Sequence, residues 1–295
     1  MKIGIITSGN EMLSLFKFLN KYDNEYIIYY DFSNGPYGDK TFDESFANVK
    51  KGIDFLIKKG VEKIILPPVY ELKLLASSGK LKAESIKHQA SGFKPAKEAG
   101  GLQALSSYIL PLFKNYLLNY VFKYSLVGKI GMVGDYTDIQ VAQELISDLS
   151  KEFNLTENQK SIKKFNFPFS YWCKEVGLWK SYLNYLSYSD FMVNKVIKFD
   201  LRYFKDAMVD VVVPLNYGYF NYEKTISKFF NFKKIKFHGI EKLEEIFQGL
   251  GERGKGKGYG VKVYFTGHNN FLIREKRLMW MLQKGKGVEV EWERI

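Results

Sequence analysis

Side chains able to carry nucleophilic or proton-transfer chemistry are few and scattered in this 295-residue sequence. The one cysteine, Cys173, sits in the aromatic run Phe169-Ser-Tyr-Trp-Cys-Lys-Glu-Val176, where a small buried side chain is its expected role. A single thiol excludes an internal disulfide and a cysteine-based zinc site. The three histidines, His88, His238 and His268, are far apart and have no carboxylates at ligand spacing, so no metal site is expected. What remains are ionisable residues at the ends of apolar runs. Asp31 follows Tyr26–Tyr30, Asp135 follows Gly128–Val133, and Tyr37 and Tyr217 lie in turns beyond such runs. Two of these facing one cleft could exchange protons with an activated carbon acid. Phosphate chemistry is poorly served: Gly131-Met-Val-Gly134 lacks the dinucleotide-binding arrangement and reads as close strand packing, and the glycine-lysine stretch 249–260 lacks Walker spacing and reads as a surface linker.

The elements that must position these residues alternate in type. Ile3–Ile6 reads as a strand ending in Thr7-Ser8-Gly9, and Tyr26–Tyr30 as a second strand leaving through Asp31-Phe-Ser-Asn-Gly-Pro-Tyr-Gly38. Phe42–Lys59 has helical spacing and stops at Gly60, and Val61–Leu66 is a third strand. This β-α-β-α-β order predicts an α/β fold with mostly parallel sheets and right-handed crossovers. Residues 77–107 break the rhythm as a polar insertion; strand-like Tyr108–Pro111, a helix through Tyr124, the strand Gly128–Val133 and a helix over 138–153 follow. Residues 161–207 read as helical or irregular. Further strands are expected at 209–213, 233–237, 261–265 and, as an edge, 288–292, with helices at 240–249 and 271–282. In such sheets ligands sit beyond the carboxyl ends of the strands.

Composition bounds the class. Apolar residues make up 46% of the chain with no run long enough to span a bilayer, so a globular protein of about two domains is expected, in the cytoplasm and with no membrane partner. The formal charge of +12 rests on lysine, with only Arg202, Arg253, Arg274, Arg277 and Arg294 to offer a bidentate fork. A solvated lysine surface is the expected meaning, and a nucleic-acid partner is not expected.

At the strand exits the sequence resembles the cofactor-independent glutamate racemases of the aspartate/glutamate racemase superfamily. Ile3-Gly-Ile-Ile-Thr-Ser-Gly9 resembles the amino-terminal strand and Asp-Ser-Gly turn of that family, and Tyr30–Gly38 its Gly-Asp-Thr-x-x-x-Pro-Tyr-Gly loop. Gly60–Leu66 matches its third strand. Val209–Tyr219 falls where the family has Gly-Cys-Thr-His-Tyr-Pro, and Val263–Phe271 resembles its Thr-Gly-x-x-x-x-Phe segment. The resemblance implies two α/β domains related by a pseudo-twofold axis with the ligand cleft between them. It places 1–106 plus 215–295 in a discontinuous first domain and 107–214 in the second.

The family removes the α-proton with two thiols, aided by an Asp and a His. Carried over position by position, the thiols fall on Pro67, or its neighbour Pro68, and on Leu215; the Asp position holds Thr7 and the His position Tyr217. Pro and Leu have no proton to exchange. Ser8, Gly9, Pro36, Tyr37, Gly38 and Asn216 remain as candidate contacts to a small carboxylate or amino acid, with turn geometry as the alternative role of these residue types. The expectation is a racemase-like scaffold degenerate for two-thiol racemisation, needing no cofactor, with a homodimer left open. The alternatives are an isomerase or lyase using non-cysteine acid/base residues, and a protein-interaction module built on the aromatic region 161–232.

Overall fold

The computed structural model describes residues 1–80, 102–159, 168–184, 190–231, 234–248, 260–267 and 289–295. Two sheets are present among them, and every pairing is parallel. The first contains β1 (Lys2–Thr7), β2 (Glu25–Tyr30), β3 (Lys63–Ile65), β8 (Gly260–Phe265) and β9 (Glu289–Arg294) in the order β3-β1-β2-β8-β9. The second contains β4 (Lys129–Gly134), β5 (Ser170–Glu175), β6 (Val211–Pro214) and β7 (Lys236–Phe237) in the order β5-β4-β6-β7. Helices connect the strands: α1 (Phe16–Leu19), α2 (Phe42–Lys58), α3 (Pro68–Ser77), α4 (Leu102–Tyr108), α5 (Leu112–Tyr116), α6 (Tyr136–Gln159), α7 (Gly177–Asn184), α8 (Asp190–Asp206), α9 (Glu223–Phe230) and α10 (Ile240–Gln248). This is the expected parallel α/β architecture.

Local chemistry sets the elements. Helix α2 starts at a capping box in which Thr41 and Glu44 each satisfy the other's backbone amide, and it buries Phe46, Val49, Ile53 and Leu56 along one stripe. It ends where Gly60 takes a φ of +77°, a left-handed conformation open to glycine. Gly131 lets α8 approach β4: a Cβ there would lie 2.6 Å from Cδ1 of Phe204, which supports reading this glycine pair as close packing. One hydrophobic cluster joins both sheets, running from Ile3, Ile5 and Tyr30 through Phe113 and Tyr116 to Ile130, Met132 and Val213. The two halves therefore share a core, and the strand exits converge across it.

Several sequence expectations need correction. Ser170–Glu175 is a strand, β5, in a stretch read as helical or irregular; it lies at a sheet edge with side chains only half-buried, so its apolar alternation is weak. Cys173 is accordingly partly exposed, with its sulfur 3.9 Å from Oε1 of Gln143, and is not a fully buried side chain. Tyr108–Pro111 is not a strand: α4 reaches Tyr108, and only Ile109 bridges to Ile64. Strand β7 pairs with β6 in the second sheet, through Val211 with Lys236 and Val212 with Phe237. The chain thus re-enters the first sheet only after Phe237, not near residue 215. The polar insertion narrows as well, since α3 runs to Ser77 and α4 begins at Leu102. The insertion's centre, the glycine-lysine stretch before Gly260, the expected helix over 271–282, His88 and His268 lie outside the described residues.

Candidate functional site

The carboxyl ends of strands from both sheets surround one cavity. Its walls are Ser8 and Glu11 after β1, Tyr37 after β2, Pro67, Val69 and Tyr70 after β3, Asp138 after β4, Lys180 after β5, and Leu215 and Asn216 after β6. The open space is only about 20 Å³, room for roughly one water molecule where ligand pockets usually offer some hundreds of Å³. In this state the cleft is closed.

Pro67 and Leu215, which the resemblance sets at the family's thiol positions, both face this cavity; Pro68, the other residue offered for the first thiol, is not in its lining. Pro67 lies at the start of α3 and Leu215 follows β6, each inert to proton exchange. Of the other two family positions, Thr7 turns its hydroxyl to the carbonyl of Gly9 at 2.6 Å, and Tyr217 is buried against Phe113 and Phe220. The Tyr217 hydroxyl is buried beside the Glu71 carboxylate, and burial, then that carboxylate, pushes the phenol pKa well up. Cys173 lies on β5, outside the cavity lining.

The candidate ligand contacts are already engaged within the chain. Ser8 donates its hydroxyl to Oε1 of Glu11 at 3.1 Å and accepts the amide of Tyr37 at 3.1 Å, stitching the β1 turn to the β2 turn. Gly35, joined to Pro36 by a cis peptide bond, packs so tightly that a Cβ would lie 2.2 Å from the carbonyl oxygen of Ser8. Gly9 follows in the same turn, while Pro36 and Gly38 flank Tyr37. The Tyr37 hydroxyl donates to Oδ2 of Asp31 at 2.9 Å, and burial, reinforced by that aspartate, pushes its pKa well up. Asn216 caps the following turn, its Oδ1 accepting the amide of Gly218 at 2.8 Å. These contacts are turn chemistry. The four groups that sequence reasoning offered for non-thiol acid/base work are likewise placed: Asp31 also accepts from Thr266 and Asn34, Tyr217 is behind the wall, and Asp135 pairs with Lys180 at 2.9 Å and accepts from Tyr219 at 3.3 Å.

Sequence reasoning missed four residues that do face the space: Glu11, Tyr70, Asp138 and Lys180. Burial and then Asp135 raise the Asp138 pKa to about 7. Burial acts to lower the Lys180 pKa, but Asp135, Glu11 and Asp138 outweigh it and hold the ammonium in place. Tyr70 stays a neutral phenol because burial pushes its pKa up. The one signal available in sequence was position: Glu11 is two residues past the first turn and Asp138 three past Asp135.

The fold, two parallel sheets with their strand exits on one cavity, is that of solved glutamate racemases. The crystal structure of the RacE1 isoform of glutamate racemase from Bacillus anthracis superposes with a TM-score of 0.64, 15% identity and coverage of 99% of this chain and 96% of that one. Glutamate racemase from Francisella tularensis, solved in complex with D-glutamate, gives a TM-score of 0.62, 17% identity and coverage of 100% and 97%. In sequence the chain resembles the glutamate racemase of Leptospira interrogans, with 44% identity over 68 residues, a stretch spanning 22% of this chain and 27% of the relative's length. No protein-family profile matches the chain.

Proposed function

We propose that this protein is a glutamate racemase-like scaffold that has lost two-thiol racemisation and keeps its cleft as a small-ligand site, closed in this state. The observation that carries the reading is that Pro67 and Leu215 line the same cavity at the two thiol positions, while the chain's one cysteine lies elsewhere. Abstraction of a weakly acidic α-proton needs a group of matched pKa within reach on each face of the carbon. Neither residue supplies one. L-Glutamate incubated with the pure protein should therefore remain L by chiral chromatography; accumulation of D-glutamate above a protein-free control would refute the proposal. A racemase-like chain of this kind works without a cofactor and in the cytoplasm, and any link to peptidoglycan precursors would run through ligand binding.

A second reading, as an interaction module, is favoured by one surface. Leu178, Phe191, Met192, Phe199, Tyr203 and Met208 are exposed within 31 residues, Phe191 by 65% and Phe199 by 67%. Exposed apolar side chains concentrated in this way mark contact surfaces. Sedimentation velocity should show a dimer that Phe191→Ser with Phe199→Ser shifts to monomer. A wild-type protein that stays monomeric at about 100 μM, well above the affinities of stable dimers, would count against that surface as a self-contact.

A further inference from the structure

We infer that the cavity at the strand exits takes a small cationic amine rather than an acidic amino acid. This rests on the cleft being a ligand site and narrows the class of ligand. Glu11 is 5% exposed; its Oε1 accepts the amide and hydroxyl of Ser8, but its Oε2 is buried in the cavity wall with no donor. A carboxylate oxygen stripped of water and left without a donor calls for an N–H or O–H from whatever enters. Asp138, on α6, is buried in the lining of the same cavity and makes no hydrogen bond with another described residue's side chain. Asp135, three residues before it, is close enough to act on its charge. Against these three carboxylates stands one cation, Lys180, already bonded to Asp135 at 2.9 Å.

The charge balance decides between ligand classes. A dicarboxylate would bring two further negative charges to a site where burial and Asp135 already keep Asp138 protonated up to about pH 7, and the single ammonium is committed to Asp135. An alkylammonium brings the missing positive charge and up to three donors for Glu11 Oε2 and Asp138, interactions that gain strength where water is excluded. The space of about 20 Å³ requires such a ligand to be small and the two sheets to part slightly on its entry. The Ser8, Tyr37 and Asn216 groups stay in their turn contacts, so the carboxylates and not those residues would carry recognition.

Thermal unfolding of the full chain with methylammonium, 1,3-diaminopropane, malonate or glutamate tests the assignment, malonate being the three-carbon dianion matched to the diamine. The amines should raise the unfolding midpoint and the two anions should not. Glu11→Gln keeps an acceptor for Ser8 and should weaken diamine binding at least tenfold, as should Asp138→Asn. Three results would overturn the inference: stabilisation by malonate or glutamate but not by the amines, no stabilisation by either amine, or an equal amine effect in wild type and Glu11→Gln, which would place the amine outside this cavity. Failure here leaves the loss of two-thiol racemisation standing, because that is read from the chirality of glutamate and not from a midpoint shift.

Discussion

Replacing Glu71 by alanine should lower the free energy of unfolding by about 3–5 kcal/mol, the largest stability effect expected of any polar substitution near the site. Glu71 is fully buried on α3, and its two oxygens accept the amides of Phe113 at 3.0 Å and Lys114 at 2.8 Å. Those amides belong to the first turn of α5, where no intrahelical acceptor exists. Alanine would leave both donors buried and open a void beside Tyr217. Part of the loss is recovered, because burial raises the Glu71 pKa to about 8 and so makes its charge costly. Glu71→Gln retains one acceptor and should lose about half as much. Urea unfolding of the three proteins measures this, and a loss below about 1 kcal/mol for alanine would show that α3 and α5 are held together by apolar packing alone.

The second large effect is a pH dependence centred on Asp138. Its folded pKa is about 7, against the ordinary 3.8 taken for the unfolded chain, raised first by burial and then by Asp135. The folded protein therefore holds a proton that the unfolded chain releases across that window. Stability linked to this group is complete below pH 3.8 and is lost as the pH rises through 7. Between pH 5 and pH 8 wild type should lose roughly 2–3 kcal/mol relative to Asp138→Asn, which cannot titrate. His238 runs the other way, since burial, with Lys236 and Lys242, lowers its pKa to about 4. Its effect is common to both proteins, so the difference between them is the readout. Parallel stability curves over this range would show that Asp138 is not held in the buried site described.

The fold was legible where burial imposes a period. Ile3, Ile5 and Tyr26–Tyr30 lie in central strands covered on both faces, and such strands read as continuous apolar runs. Phe46, Val49, Ile53 and Leu56 recur as one helix face against that sheet. Strand β5 was hidden because an edge strand with half-buried Tyr171, Trp172 and Lys174 has little period to show. The return of the chain to the first sheet was misplaced because β7 is two residues long, and its membership depends on pairing with β6 and not on its own pattern. In the site, Pro67 and Leu215 were found through resemblance alone, and the structure sets both in one cavity. Lys180 could not have been found, since a lysine is read as a solvated surface group unless its partner is known. Here the partner, Asp135, is 45 residues away in sequence and reaches it only through the adjacent strands β4 and β5. Glu11 was passed over for a similar reason: its acceptor role toward Ser8 is local, and only the folded chain shows its second oxygen buried without a donor.

The central proposal is that the cleft, with Pro67 and Leu215 where the resemblance sets the two thiols, no longer takes the α-proton of an acidic amino acid. Proton nuclear magnetic resonance of L- and D-glutamate in deuterium oxide tests it most directly, because exchange reports a half-reaction even where no inversion follows. With pure wild-type protein and with Cys173→Ser the α-proton signal should persist at the rate of the protein-free control, while a thiol-bearing glutamate racemase empties it. Loss of the signal with wild-type protein would contradict the account, and its rescue in Cys173→Ser would identify the thiol on β5 as the base.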